Sequence, residues 1–244
     1  GKQWTSNKGG SGFGKFGNLP KPTVINWTTH KDYDLFIGKH DGFDNVGVSY
    51  SRQVISVKND FWIVKDNFSS DQEHEYKQVW QGHYTNENGS NLLRATAPDA
   101  SGHDILQLYG SRGKNWSQVS KLNKKNFSFL TLIYPYKGYD NRIDETCETL
   151  NLNEWNINAS LSKIQNAGYT SISKENTAYF FNANNILFKE LSVRTSKNAD
   201  FIIQKVGNTY RITSTSADQN SFTVSKLKSP EKTKTLLPGE SWEL

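Results

Sequence analysis

Removing the proton beside a uronate carboxyl needs a base, usually Tyr or His. It also needs a neutral or cationic partner for the carboxylate, because that proton is otherwise far too weakly acidic. A site of that kind in this chain would be carried by His40, Arg52, His74 and Tyr76. His40 or Tyr76 would serve as base and Arg52 would hold the carboxylate, with His74 as a further substrate contact. Arg94, Arg112, Lys114 and Lys137, in or near loops, are the remaining candidates for contact with an anionic chain. Each has a plainer use. An Arg on a strand commonly pairs with an internal carboxylate, and Tyr76 alternates onto one face with Trp80 and Tyr84, which is also the pattern of a core.

Other chemistries find less support. The five histidines, at 30, 40, 74, 83 and 103, show no H-E-x-x-H or comparable ligand spacing. His74 and His83 fall on opposite faces of one strand, so no metal site and no cofactor is expected. Gly9-Gly10-Ser11-Gly12-Phe13-Gly14 has neither a preceding strand nor a following helix, so it is not read as a phosphate loop. Carboxylates such as Asp32/Asp34 and Asp140/Asp144/Glu145 cannot be told from solvated loop charge. The single Cys147 excludes an internal disulfide framework.

The elements that must position these residues are strands. Only 34% of the chain is hydrophobic, yet 13% is aromatic, with 7 Trp, 11 Tyr and 13 Phe. Aromatic side chains suit a pleated surface, and they suit both a core and a sugar-stacking face. Residues 1–22, rich in Gly, Lys, Ser and Asn, read as a loosely packed arm. Residues 23–244 read as one antiparallel β-sandwich with little helix. The run 46–57 alternates, the turn 58–60 follows, and 61–64 is apolar, which together predict a hairpin. Further strands are predicted over 74–84, 105–109, 127–134, 177–181, 186–193, 201–206, 210–215 and 222–227, with Gly207-Asn208 as a two-residue turn. A weak helical segment is predicted over 152–164, and a composition change near 140–175 divides the sandwich into two layers or lobes. Phe61, Ile63, Trp80, Leu132 and Phe180 are the expected core.

The net charge of +5 is spread along the chain with no block of five basic residues. That argues against nucleic acid and is compatible with an anionic polysaccharide. No segment reaches the roughly 18 apolar residues of a membrane span. The start, Gly1-Lys2-Gln3-Trp4, does not read as a signal peptide, so the chain reads as mature or trimmed.

One stretch carries a family likeness. Gly38-Lys39-His40-Asp41-Gly42-Phe43 leads to a strand bearing Arg52, then a short turn, then an aromatic-rich strand Phe61-Trp62-Ile63-Val64-Lys65-Asp66. With Thr131-Leu132-Ile133-Tyr134-Pro135 as a later strand, this resembles the β-sandwich of heparinase II/III-like polysaccharide lyases over about residues 25–135. The resemblance implies a two-part bacterial enzyme that is secreted, periplasmic or at the cell surface. An α/α toroid upstream would be the partner domain and would hold the principal catalytic groups. It implies that this chain supports or binds an acidic polysaccharide and is inactive by itself. An autonomous β-eliminating lyase and a cell-surface interaction module without a sugar ligand are the alternatives. In structural terms, Gly42 is expected to permit a tight turn, Arg52 to pair with a carboxylate between sheets, and Asp66 to cap the turn after its strand.

Overall fold

The computed structural model describes residues 20–80, 84, 92–97, 99, 101–109, 117–138, 143, 150–158, 169–226 and 229–244. Two antiparallel sheets account for nearly all of them, and no α-helix occurs among the described residues. The first sheet has seven strands: β1 (Pro22–Thr29), β2 (Tyr33–His40), β3 (Val48–Val57), β4 (Phe61–Val79), β5 (Leu92–Thr96), β6 (Ser101–Tyr109) and β7 (Ser117–Lys137). Their spatial order is β1-β2-β3-β4-β7-β6-β5. The second sheet has nine: β8 (Leu150–Leu152), β9 (Trp155–Asn158), β10 (Thr170–Lys174), β11 (Thr177–Phe188), β12 (Leu191–Val206), β13 (Thr209–Ser214), β14 (Asn220–Lys226), β15 (Lys232–Leu236) and β16 (Ser241–Glu243). The sheets therefore follow one another in sequence, and the change from one to the other falls between Lys137 and Leu150, at the start of the composition change near 140–175.

Alternation decides what each sheet buries. On β3 and β4, Ile55, Val57, Phe61 and Ile63 face inward against Ile157, Tyr179, Phe181 and Ile202 of the second sheet. Residues between them on β11 and β12, such as Phe180, Phe201 and Ile203, point the other way. With Tyr210, Ile212, Phe222 and Leu236 they build a second core, so the second sheet is buried on both faces over its middle. Phe61, Ile63, Leu132 and Phe180 are core as expected. Trp80 is not. It lies just beyond the end of β4, half-buried, with its indole N–H donated to Gln78 Oε1 at 3.0 Å.

Turn chemistry explains where the predicted elements shift. Asn59, at φ 64°, closes the β3–β4 hairpin, and Gly207, at φ 59°, closes β12–β13. The segment 186–193 is two strands rather than one: Lys189-Glu190 forms a tight turn with Phe188 opposite Leu191. Lys189 takes φ 55°, and its turn partner Glu190 is tied to Lys205 at 2.8 Å. Over 152–158 the predicted helix is a hairpin. Asn153 and Glu154 both adopt positive φ, as a type I′ turn demands, and Leu152, Trp155 and Ile157 alternate into the core. The predicted strand over 74–84 is the far end of β4 and stops at Val79. Asp66 caps no turn; it lies within β4.

One departure from a plain sandwich matters for function. β4 and β7 pair as a long ribbon whose register shifts between Ser69 and His74 and again between His74 and Tyr76. Such bulges bend strands. Twelve extended residues would separate Asp66 from Gln78 by about 40 Å, yet Gln78 Nε2 donates to Asp66 Oδ2 at 2.6 Å. The end of the ribbon is therefore folded back over the outer face of its own sheet. Tyr76 stacks on Phe68 with centroids 4.8 Å apart, and an aromatic cluster with Phe127 and Phe129 holds the fold-back in place.

Candidate functional site

The fold-back makes a cleft, and strand register fills it. Residues directly opposite one another in a sheet point to the same side. Gly38, Arg52 and Asp66 form one such row on the outer face of the first sheet, and His40, Tyr50 and Phe68 form the next. The rows are brought together under the returning ribbon, which adds Lys77, Gln78 and Trp80. The cleft between them is about 200 Å³, lined by His40, Tyr50, Arg52, Lys77 and Trp80 around Asp66.

Asp66 organises the cleft. Its carboxylate is 2% exposed and accepts from Arg52 Nε at 2.6 Å, Arg52 Nη2 at 2.8 Å, Tyr50 Oη at 2.7 Å and Gln78 Nε2 at 2.6 Å. Gln78 Oε1 in turn accepts from Thr131 Oγ1 and the Trp80 indole. Arg52 is thus fixed by two parallel bonds but keeps 42% of its side chain in solvent, with only two of its five N–H donors spent on Asp66. Hydrogen bonding to Asp66 holds the guanidinium more firmly protonated than usual. Burial, reinforced by the Asp66 charge, pushes the Tyr50 phenol far above its ordinary range, so it acts as a fixed donor and not as a base.

His40 forms one wall, its ring 4.4 Å from that of Tyr50 and 5.3 Å from that of Phe43. Its Nδ1 accepts the Gly42 N–H at 3.0 Å, and a side chain at Gly42 would strike the ring. The neutral imidazole then carries its proton on Nε2 and offers a donor. Desolvation lowers the His40 pKa, and Arg52 adds to the shift against the opposing pull of Asp41. A proton on Nδ1 would also set two donors against each other at Gly42. The folded chain accordingly binds this proton less readily than the unfolded chain, whose histidine titrates near 6.5. The stability that neutral His40 contributes is complete above that value and drains as pH falls below it. His30, also lowered by desolvation, adds in the same direction. Urea midpoints are expected to fall between about pH 7 and about pH 5, with a shallower fall in His40→Gln. An equal slope in that variant would remove His40 from the account.

The structure thus brings His40 and Arg52 into one cleft and leaves the other described candidates elsewhere. Tyr76 is buried in the aromatic cluster and donates its hydroxyl to the Lys125 carbonyl at 3.0 Å. His74 sits on the ribbon with Nε2 3.1 Å from Ser70 Oγ. Arg94 is an internal ion-pair partner, bonded through two nitrogens to the fully buried Asp104 at 2.8 and 3.0 Å and to the Ile143 carbonyl. Lys137 ends β7, exposed, opposite Ser101 at the far side of the sheet. Arg112 and Lys114 lie outside the described residues. The pairing expected of Arg52 is made within one sheet; among the described residues the ion pair between sheets is Lys65 with Asp200. Among the described residues, no three His, Cys, Asp or Glu side chains come together to hold a metal.

Exposed aromatics extend the same face. Trp27 on β1 is 68% exposed and meets Phe36 edge-on at 5.8 Å, and Trp62 on β4 is 42% exposed. The register places Trp27, Phe36, Val54 and Val64 in the row beside Arg52, and Ser56 and Trp62 in the row beyond.

No family model matches the chain, and no curated protein matches it in sequence. In structure it is similar to the heparan sulfate lyase HepC from Pedobacter heparinus, with a TM-score of 0.43 and 13% identity over 90% of this chain. A mutant of that enzyme gives 0.43 and 14%, and the heparinase III BT4657 gene product gives 0.42 and 10% over 89% of this chain. The chain spans 28% of the length of each of these proteins. The likeness assigns no role to any residue. Among the described residues, no helix is long and apolar enough to cross a membrane.

Proposed function

We propose that the outer face of the first sheet binds an acidic polysaccharide, uronate-containing or sulfated, as the sandwich part of a polysaccharide lyase. The observation that carries this reading is the cleft at Arg52. There a guanidinium is held rigid by a buried carboxylate, still partly exposed, beside Lys77 and between aromatic walls. Such a guanidinium gives planar recognition of a carboxylate or sulfate at little further ordering cost. Trp27 and Trp62 supply apolar ring faces along the same surface, so that a chain crossing it meets a stacking position as well as a cation. The groups in the cleft bind rather than abstract protons, because Tyr50 is locked as a donor and the neutral ring of His40 presents an N–H. Elimination is accordingly assigned to a helical partner domain.

The test is titration of the chain with heparan sulfate, chondroitin sulfate, hyaluronan and alginate, together with a neutral glucan, at two salt concentrations. Binding is expected for at least one anionic chain, weakening as salt shortens the screening length to below about 8 Å. Lys77→Ala is expected to weaken it by roughly tenfold, the worth of one charge-assisted hydrogen bond, and Trp27→Ala to weaken it further. The ultraviolet absorbance of unsaturated uronate is expected to stay flat. Salt-independent binding to the neutral glucan would sink the charge argument, and a steady absorbance rise would show an autonomous lyase.

A further inference from the structure

Lys65, Asn182 and Asp200 meet between the two sheets, and a bulge in β11 brings Asn182 there. On that strand Phe180 and Ala183 belong to the second core, while Phe181 belongs to the core between the sheets. Strict alternation would turn Asn182 to the same side as Phe180. The register with β12 shifts at this point, so that Phe181 and Asn182 together oppose Asp200. Asn182 is the extra residue, at φ 57°, and its amide oxygen accepts from Lys65 Nζ at 2.9 Å. Bulges re-aim side chains, and a left-handed backbone at a non-glycine residue collects where chemistry is done.

Lys65 is a nucleophile with a proton acceptor already in place. Its Nζ lies 2.7 Å from both oxygens of Asp200, and both side chains are buried. Asp200 Oδ1 also accepts the Asn182 N–H at 2.9 Å, which fixes the amide beside the pair. The carbonyl carbon of Asn182 is one bond beyond the oxygen that Lys65 already touches. Amines do not ordinarily attack amides in water, because the amine is protonated and the departing nitrogen needs a proton of its own. Here one carboxylate can take the first proton and carry the second. Reacting groups held in contact gain an effective concentration of about 10⁵–10⁸ M. A buried ion pair contributes little over apolar groups of equal volume, so stability is a weak account of this cluster.

We infer that Lys65 and Asn182 join in an isopeptide bond, with Asp200 as the catalytic acid and base. Lys65 passes one ammonium proton to Asp200, and the freed Nζ lone pair attacks Asn182 Cγ. A second Nζ proton passes through Asp200 to Nδ2, the Cγ–Nδ2 bond breaks, and ammonia leaves past Asn182, which is only half-buried. The new Nζ–Cγ amide keeps the third proton. Asp200 keeps the first and offers it to the amide oxygen. Nothing is oxidised or reduced, and two buried charges become neutral groups. Attack proceeds only from the arrangement in which the proton has crossed to Asp200, so closure is slow beside folding. A freshly folded chain holds the ion pair and has the stability of that pair. An aged chain holds the bond, which links residues 117 apart in sequence.

Intact mass of the whole chain, at purification and over days of ageing, tests this. A fraction lighter by one ammonia is expected, growing with age. Its tryptic digest is expected to yield one branched peptide that joins the Lys65 and Asn182 segments. That fraction is expected to run ahead of the open chain on a denaturing gel and to unfold at higher urea, since the closed loop restrains the unfolded state. Asn182→Gly is expected to fold, because glycine suits the positive φ and the Lys65–Asp200 pair remains, and to show no loss of ammonia. Asp200→Asn is expected to slow closure by about a hundredfold or more, the worth of a positioned acid–base group. A chain of full mass with no branched peptide after ageing would overturn the proposal. So would ammonia loss that persists in Asn182→Gly, or a branch that ends on Asp200 or on Gln53, the amide beside Lys65 on β3. Closure at an undiminished rate in Asp200→Asn would overturn the part given to that carboxylate.

Discussion

Asp200→Ala is expected to destabilise the fold by about 3–5 kcal/mol, the cost of leaving one partner of a buried ion pair uncompensated. Lys65 Nζ lies 2.7 Å from both carboxylate oxygens of Asp200, and the two side chains are 3% and 6% exposed. Lys65 reaches across from β4 and Asp200 from β12, so the pair pins one sheet to the other. Asn182 completes the arrangement, accepting from Lys65 at 2.9 Å and donating its backbone N–H to Asp200 at 2.9 Å. Without Asp200 the ammonium keeps only a neutral amide oxygen. Lys65→Met is expected to be similarly costly, because the carboxylate then retains only that N–H. The double variant Lys65→Met/Asp200→Leu is expected to recover most of the loss, since a buried pair replaced by apolar groups of similar volume is close to neutral. Urea unfolding of the three variants measures this directly. A loss below about 1 kcal/mol for Asp200→Ala would mean that water reaches the pair.

The period-two pattern made most strands legible because one face of each meets a core. The 46–57, 58–60, 61–64 hairpin needed only its alternation and its turn residues. Counting back from that turn also places Arg52 opposite Asp66, so the ion pair at the heart of the cleft was readable in principle. In sequence Asp66 reads as a strand end, whereas β4 runs on to Val79. The turns at Lys189-Glu190 and Asn153-Glu154 were hidden for a different reason. They contain neither Gly nor Pro, and their positive φ values are tolerated through hairpin pairing on either side. Gln78 and Trp80 were beyond reach of pattern alone. Their place in the cleft depends on bulges near His74 that fold the ribbon back, and a bulge leaves little trace in alternation. Tyr76 shows the same limit from the other side. Sharing a face with Trp80 and Tyr84 is more often the pattern of a core, and the burial of Tyr76 against Phe68 and Phe127 makes it one.

Asp66→Ala is expected to abolish polysaccharide binding and to cost about 3–5 kcal/mol of stability, because it strips four donors of their shared acceptor. Arg52 loses both bonds that orient it, Tyr50 loses the acceptor of its hydroxyl, and the Gln78 amide that ties the returning ribbon to the sheet is left unpaired. A buried donor without an acceptor costs about 1–3 kcal/mol, so the loss exceeds that of any single bond. Asp66→Asn keeps the shape but turns an amide donor toward a guanidinium donor, and is expected to fall between wild type and Asp66→Ala in both stability and binding. The variant that separates architecture from recognition is Arg52→Met/Asp66→Leu. It removes charge and counter-charge together, so the ribbon retains an apolar seat and much of the stability returns, while the cation that meets the glycan is gone. Stability restored with binding still absent is the expected pair of results, read by urea unfolding and by the salt-dependent titration. Restored binding in that variant would place the anion on Lys77 and the exposed tryptophans alone, and would reduce the Arg52–Asp66 pair to a brace for the fold-back.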